Sequence, residues 1–261
     1  NLHYMSETMV EEFVTVETIF VRGRNCLALR AKFSPRFTDY YLHLMQYGLR
    51  NEEIYDSLLK ELMAYFTLYM VARPWAEQHA WTVNLNTPVV ANLFVSGSSL
   101  TESVVGRVFT QDVREPEENT LYSTMLCKGQ EPRYSVVPIP GASPAQWVEE
   151  FYKQSEQRTA RCIELPDECY TMVTAQPDAD EEWLNSLNQE KMAHLEENEN
   201  TRVLETRRFR FYCGCTLDRI LPTLKALQEK EKDLFQGENE LEITCPRCAA
   251  IYRVTRENLE D

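Results

Sequence analysis

Apolar residues recur at helical spacing in three stretches of the first 176 residues. The first opens at Ser34-Pro35, a capping residue followed by the proline that favours a first helical turn, and should end near Gly48. The second begins after residue 51, and the third opens at Ser143-Pro144. The second helix repeats its apolar face every four residues, at Ile54, Leu58, Leu62, Phe66 and Met70.

Between and around these helices, apolar and polar residues alternate, which is the spacing of a half-buried strand. Strands are predicted within residues 20–34 and from residue 81 to 85, and also at 89–95, 104–110, 121–127, 133–139, 161–165 and 168–174. Strands and helices are intermixed without the regular alternation that builds a parallel sheet. The pattern therefore predicts an α+β fold, with a mixed strand and helix core domain over residues 1–176.

An acidic segment follows the core, and residues 178–200 carry eight carboxylates against a single lysine. Its sparse apolar residues are Trp183, Leu184, Leu187, Met192 and Leu195. This stripe predicts one or two helices with few packing contacts, within a metastable helical linker over residues 177–210. A solvated connecting helix is the simpler interpretation. The functional interpretation is a segment that detaches from the core and offers these five residues to a binding partner.

Composition and charge narrow the class of protein. A chain of 261 residues with 43% apolar content can build one sizeable core and a small additional module. The formal net charge of -14 disfavours binding to nucleic acid. The stretch from Ile54 to Val71 contains three charged residues, so it does not predict a membrane span. Motifs typical of phosphate-binding loops, serine hydrolases and zinc proteases are absent from the chain, so we expect no enzymatic activity.

Two close cysteine pairs near the end of the chain form its most specific pattern. They are Cys213-Gly-Cys215 and Cys245-Pro-Arg-Cys248, separated by residues 216–244. Two short loops that each present two sulfurs can surround a tetrahedral zinc ion without a long framework. The spacing therefore predicts a Zn²⁺ site with Cys213, Cys215, Cys245 and Cys248 as ligands, in a small zinc-binding domain over residues 211–261.

Other interpretations of these cysteines remain open at the level of the residues. The even number of cysteines would also allow structural disulfides in a secreted protein. Unpaired thiols are a further alternative. A zinc ribbon that binds nucleic acid or a protein partner would use the basic cluster Arg202, Arg207, Arg208 and Arg210. A thiol-disulfide oxidoreductase would use Cys245-Pro-Arg-Cys248, although this pair does not follow a strand and open a helix.

Three segments resemble the redox-regulated thirty-three-kilodalton heat-shock chaperones. The segment Phe211-Tyr-Cys-Gly-Cys215, the later Cys245-Pro-Arg-Cys248 and Tyr252 are similar to the C-terminal zinc module of that family. The segment Phe151-Tyr-Lys-Gln-Ser-Glu-Gln157 resembles the end of the helix that closes the family's core, and residues 133–137 resemble a strand of that core. Two departures stand out: Ala249 replaces an expected glycine, and the stretch between residues 157 and 213 is shorter than usual.

The resemblance implies an ATP-independent, cytoplasmic holdase built from a core, a metastable linker and a zinc-binding redox switch. It implies unfolded or misfolded client proteins as partners and a homodimer as the oxidised, active state, with neither nucleic acid nor membrane as a partner. The corresponding hypothesis is that oxidants convert the four thiolates to disulfides within each near pair, that zinc then leaves, and that the linker is released. We expect Cys213, Cys215, Cys245 and Cys248 to be the residues that are oxidised in this response to oxidative stress.

Overall fold

The computed structural model describes residues 13–73, 76–228, 230 and 234–260. The helices in these ranges are α1 Ser34–Gln46, α2 Glu53–Val71, α3 Pro144–Phe151, α4 Glu181–Asn185, α5 Gln189–Ala193, α6 Leu195–Asn198, α7 Leu217–Gln228 and α8 Glu257–Glu260. The strands are β1 Val14–Val21, β2 Cys26–Lys32, β3 Glu77–Leu85, β4 Ala91–Ser98, β5 Ser103–Phe109, β6 Thr120–Cys127, β7 Arg133–Pro138, β8 Ala160–Leu165, β9 Cys169–Ala175, β10 Thr201–Phe211, β11 Glu240–Thr244 and β12 Ile251–Thr255. The predicted α+β class is confirmed.

Ten strands form one large sheet in the order β7-β6-β3-β4-β5-β10-β1-β2-β9-β8. Strand β10 joins its two halves, because it pairs antiparallel with β1 over its length and parallel with β5 at Arg210 and Phe211. A bulge between Thr18 and Ile19 of β1 shifts the register against β10. Side chains alternate along β1, so Val14 and Val16 face one side of the sheet, Ile19 and Val21 face the other, and β1 contributes apolar residues to both faces.

Helices α1, α2 and α3 cover one face of the sheet. Twelve residues of α2 are buried, and Phe66 packs edge-on against Trp81 of β3 with ring centroids 5.0 Å apart. Trp147 and Phe151 of α3 complete this core and are at most 1% exposed. Leu58, Leu62, Phe66 and Met70 of the predicted four-residue spacing therefore lie on the buried face of α2, whereas Ile54 at its start is exposed.

The short helices α4, α5 and α6 cover the opposite face, over β1, β2, β8 and β9. Their residues Leu184, Leu187, Met192 and Leu195 are at most 3% exposed, and Trp183 is half-buried beside them. They pack against the alternate residues of the strands, for example Ile19 and Val173. The expectation that this acidic segment has few packing contacts is therefore wrong for the folded protein.

The helical prediction also fails over the last part of residues 177–210. Helices occupy only residues 181–198, whereas Thr201–Phe211 is a central strand of the sheet that crosses the predicted linker boundary. Buried Arg207 and Phe209 alternate with exposed Thr206 and Arg208, which is a strand pattern with a charged residue at one inward position. The other helices and strands predicted for the core are confirmed, while β1 was not predicted.

Candidate metal centre

The first cysteine pair lies where β10 leaves the sheet. The strand ends at Phe211, and Cys213 and Cys215 follow on either side of Gly214. Gly214 has φ +69°, a left-handed conformation that glycine adopts without a steric penalty. This turn allows two sulfurs that are two residues apart to face the same point.

The second pair lies in the turn of the hairpin formed by β11 and β12. Thr244 pairs with Ile251, so residues 245–250 form the turn. The amide of Cys245 donates to the carbonyl oxygen of Ala250 at 2.8 Å, and the amide of Ala249 donates to that of Cys245 at 2.9 Å. These bonds curl the turn so that Cys245 and Cys248 point the same way. Ala249 takes φ +63°, which explains why a glycine is expected at this position.

The four sulfurs meet in one cluster, in which all lie within 4.8 Å of one another. The Sγ atoms of Cys213 and Cys245 are 3.7 Å apart, and those of Cys215 and Cys248 are 3.5 Å apart. Thiolates placed tetrahedrally about 2.3 Å from one zinc ion would be about 3.8 Å apart. The four cysteines therefore lie close enough to hold one metal ion, and their all-sulfur chemistry fits zinc.

Three residues of the core hold the second cysteine turn against the sheet. Arg107 on β5 donates to the carbonyl oxygen of Cys245 at 2.8 Å, and His43 Nε2 on α1 lies 2.7 Å from that of Cys248. Arg247, inside the turn, donates to the hydroxyl of Ser96 on β4 at 3.1 Å. The cysteine cluster also packs on Val105, which is fully buried. The metal centre is therefore in direct contact with the core.

Hydrogen bonds to sulfur distinguish the thiols of the cluster. The pKa of Cys245 is lowered because the thiols of Cys213 and Cys248 donate hydrogen bonds to its sulfur, and nearby backbone amides add to this effect. The hydroxyl of Tyr252 donates to the sulfur of Cys215 at 3.1 Å and lies 2.9 Å from its carbonyl oxygen. The same thiol hydrogen bonds raise the pKa of Cys213 and that of Cys248, so the thiolate form, which both binds metal and reacts with oxidants, is favoured at Cys245.

The other four cysteines, Cys26, Cys127, Cys162 and Cys169, lie on strands of the large sheet. Burial raises the pKa of Cys26 to about 11 and that of Cys162 well above its usual value. Burial also raises the pKa of Cys169. Buried thiols of raised pKa react slowly with oxidants, so Cys26, Cys162 and Cys169 are poor targets for oxidation, whereas Cys127 is half-buried.

Two arginines of the sheet hold the acidic helices in place. Arg24 donates to Asp180 at 2.7 Å and to Glu199 at 3.1 Å, and its guanidinium lies 5.5 Å from the ring of Trp183. Arg30 binds Glu196 in the same way. These ion pairs attach both ends of the segment 180–199 to the sheet. The five residues predicted to bind clients lie within this segment and are packed against the sheet.

The basic cluster before Cys213 does not form one solvated surface. Arg207 is 2% exposed and binds Glu102 at 3.1 Å and the carbonyl oxygen of Ser99 at 2.7 Å. The guanidinium of Arg208 lies 4.3 Å from the ring of Phe13, and that of Arg210 lies 4.4 Å from the ring of Tyr212. Arg207 is thus a structural residue of the sheet.

Sequence reasoning did not single out Arg107, His43 or Ser96 as neighbours of the cysteines. Each is more than a hundred residues away from the cysteine turn along the chain, and a single sequence offers no signal for such pairs. Arg24 and Arg30 were missed for the same reason.

Comparison with known proteins relates the C-terminal part of this chain to one protein family. The model of the Hsp33 protein family matches residues 163–255, a range that contains all four clustered cysteines. The 33 kDa chaperonin of Nostoc punctiforme is 39% identical over 56 residues, covering 21% of this chain and 19% of that protein. The 33 kDa chaperonin of Nitrosococcus oceani is 23% identical over 159 residues, covering 52% of this chain and 55% of that protein. These matches span about half the length of the curated relatives, or less.

The fold itself matches over nearly the whole chain. The crystal structure of the 33 kDa chaperonin (heat shock protein 33 homologue) from Thermotoga maritima aligns with a TM-score of 0.72 and 14% identity, covering 95% of this chain and 96% of that one. The predicted resemblance to the thirty-three-kilodalton heat-shock family is therefore confirmed, and the chain has the Hsp33 fold. No helix of the described residues is both long enough and apolar enough to span a membrane.

Proposed function

We propose that this protein is an ATP-independent holdase chaperone whose activity is controlled by oxidation of its four clustered cysteines. The observation that carries the proposal is the position of the thiol cluster: it follows directly from β10, whose other end continues from the acidic helices. The cysteine centre and the buried stripe on α4 to α6 are thus joined by one central strand. The relatives named as 33 kDa chaperonins support the same class of function.

In the reduced state, Cys213, Cys215, Cys245 and Cys248 would hold Zn²⁺ as thiolates. The bound ion would cross-link the two cysteine loops and supply on the order of 10 to 16 kcal/mol of folding free energy to a small module. The described part of that module has only a small apolar cluster of its own, around Leu224 and Val254. A module with such a core depends on its metal for stability.

Oxidation removes the ligands. Each pair of thiolates gives two electrons to one molecule of peroxide and forms one S–S bond, while the peroxide is reduced to water. Disulfide sulfur is a poor zinc ligand, so Cys213, Cys215, Cys245 and Cys248 would no longer hold the ion and the module would unfold. The turn that contains Cys245 and Cys248 then loses its contacts with Arg107 and His43.

Release of the acidic helices exposes the surface that binds clients. When the acidic helices detach, they uncover an apolar face of β1, β2, β8 and β9. The helix residues that covered it become exposed as well, namely Trp183, Leu184, Leu187, Met192 and Leu195. Both newly exposed surfaces would bind apolar segments of unfolded clients, and the net charge of -14 would keep the complexes in solution. The active form would be a homodimer in the cytoplasm.

Two observations favour the chaperone proposal over the rival functions. A nucleic-acid ribbon needs a solvated basic patch, whereas Arg207 is 2% exposed. A thiol-disulfide oxidoreductase needs an accessible thiol, whereas Cys245 and Cys248 are 4% and 2% exposed and lie in a hairpin turn.

The test is suppression of client aggregation by the full chain, before and after treatment with peroxide. We expect suppression only after oxidation, and suppression without oxidation by the variant Cys245→Ser/Cys248→Ser, which cannot hold the metal. Cys127→Ser, on β6 outside the cluster, is the matched control and should behave like the unmodified protein. Equal suppression by the reduced and oxidised protein would overturn the proposal.

A further inference from the structure

A polar cavity of about 320 Å³ lies on the core, and its lining includes none of the clustered cysteines. Its walls are strands β6 and β7, the end of α2 and the π-helical turn Tyr152–Glu156, which continues from α3. This turn is part of the segment Phe151–Gln157 that the resemblance singled out, yet the redox switch leaves it without a role. Single π-helical turns occur frequently at functional sites.

Two serine hydroxyls of the sheet line this cavity, and each accepts a hydrogen bond from a neighbouring side chain. Ser123 accepts a hydrogen bond from the indole of Trp81 at 3.2 Å, and Ser135 accepts one from the hydroxyl of Ser155 at 2.9 Å. The two serines are neighbours on paired strands, so they share one face of the sheet. Among the described residues, neither hydroxyl has an acceptor for its own hydrogen, so both hydrogens are available to a ligand.

Each oxygen of Glu156, the one carboxylate in the lining, already accepts a hydrogen bond. Glu156 accepts from the hydroxyl of Tyr69 at 3.2 Å and from Arg73 at 2.7 Å. Arg73 also binds Glu77 and so holds Glu156 in place. The lining contains two further arginines, Arg133 and Arg158, and neither forms an ion pair with a described residue. The free hydrogen-bonding groups of the cavity are therefore donors, and two of them are cationic.

We propose that this cavity binds the phosphate group of a small phosphorylated molecule. A phosphate offers only acceptors and a multiple negative charge, which match two arginine forks and two hydroxyl donors. The cavity volume falls in the range of small-molecule sites and leaves room for an organic group beside the phosphate. Because the chain has a net charge of -14, an anion binds more readily where positive groups are concentrated locally, as they are in this cavity.

The site can be tested without reference to chaperone activity. The reduced, zinc-loaded full chain would be titrated with inorganic phosphate and with phenyl phosphate by calorimetry in a phosphate-free buffer. We expect one saturable site, weakened at least about 10-fold in Arg133→Gln/Arg158→Gln. The control Arg114→Gln/Arg202→Gln removes the same charge from exposed positions outside the cavity and should bind as the unmodified protein does. Saturable binding of phenyl phosphate alone would support the site and show that the organic group contributes.

The variant Ser135→Ala separates hydrogen bonding from charge. It keeps the net charge and should still weaken phosphate binding several-fold, because it removes one donor. Zinc content and circular dichroism confirm that each variant is folded. Two results would overturn the proposal: neither probe binds saturably to the unmodified protein, or the control pair loses as much affinity as the cavity pair.

Discussion

The guanidinium of Arg107 donates a hydrogen bond to the carbonyl oxygen of Cys245 across 2.8 Å, and so ties the central sheet to the turn that carries two clustered thiols. His43 makes the same kind of contact with the carbonyl oxygen of Cys248. Both core residues bind the backbone of the turn, so these contacts depend on its conformation. A change that distorts the turn therefore also weakens the attachment of the cysteine module to the core.

Loss of the Arg107 contact should make the metal easier to release. The variant Arg107→Met keeps the aliphatic stem but removes the donor, so the turn is held less firmly. We expect several-fold faster zinc release at a fixed dose of peroxide, followed with a zinc-binding dye. The control Arg253→Met, which removes an exposed arginine of the module itself, should release zinc at the normal rate. Equal rates for all three proteins would show that the core contact does not stabilise the centre.

The left-handed residue in the cysteine turn predicts a stabilising substitution. Ala249 has φ +63°, which is unfavourable for any residue with a Cβ atom. Ala249→Gly should therefore favour the turn and increase zinc affinity by about five-fold, equivalent to about 1 kcal/mol. Competition with a chelator measures this affinity. Ala250→Gly, at the neighbouring buried position, should weaken binding, and a fall in affinity for Ala249→Gly would refute the argument.

Shortening a buried side chain of the acidic segment should release this segment from the sheet without oxidation. Leu184 is fully buried between α4 and the sheet, so Leu184→Ala should cost about 3 kcal/mol of packing free energy. We expect faster hydrogen exchange over residues 181–198 and measurable suppression of client aggregation in the reduced state. Leu204→Ala, at a residue that is 52% exposed, is the matched control and should change neither property. A reduced Leu184→Ala protein that exchanges faster yet suppresses no aggregation would separate the segment from client binding.

Burial of Glu61 predicts a pH dependence of core stability. Burial raises the pKa of Glu61 from 4.5 to about 7, while its carboxylate accepts from the amide of Ala145 at 3.1 Å. The folded state binds this proton more tightly than the unfolded state does. Protonation of Glu61 therefore contributes fully to the free energy of unfolding below about pH 4.5, and this contribution is lost as the pH rises toward 7. Glu61→Gln keeps the acceptor and should be more stable than the unmodified protein at pH 8, by about 2 kcal/mol.

Denaturant unfolding at several pH values checks this prediction. The difference between Glu61→Gln and the unmodified protein should grow between pH 5 and pH 7 and then stay constant. The comparison at each pH removes the contribution of the cysteine centre, which both proteins share. Glu182→Gln, an exposed carboxylate on α4, should show no such growth. A difference that does not change with pH would mean that Glu61 is charged throughout.

Local patterns in the sequence predicted the parts of the structure that depend on local interactions. The cysteine pairs lie within two short turns, so their spacing alone predicts a shared centre. The helix with Leu62 and Phe66 on its buried face was predicted because one periodic stretch of chain determines it. Ala249 was noted only as a departure from the glycine that the resemblance implies, and its left-handed conformation was not predicted.

The features that were missed depend on contacts between distant residues. Most of β10 fell within the predicted helical linker, and the burial of Arg207 that marks it as a strand depends on Glu102, which is 105 residues away. The packing of Leu184 and Met192 was underestimated because their apolar partners lie on strands that the linker sequence does not contain. The contacts of Arg107 and His43 with the cysteine turn belong to the same class.

The most direct test of the redox account follows zinc content and client binding in one sample as peroxide is added in steps. If the four thiols act as a switch, zinc loss and suppression of aggregation should rise together, and reductant with zinc should reverse both. Oxidised protein that suppresses aggregation while retaining its zinc, or that loses its zinc without gaining activity, would contradict the account.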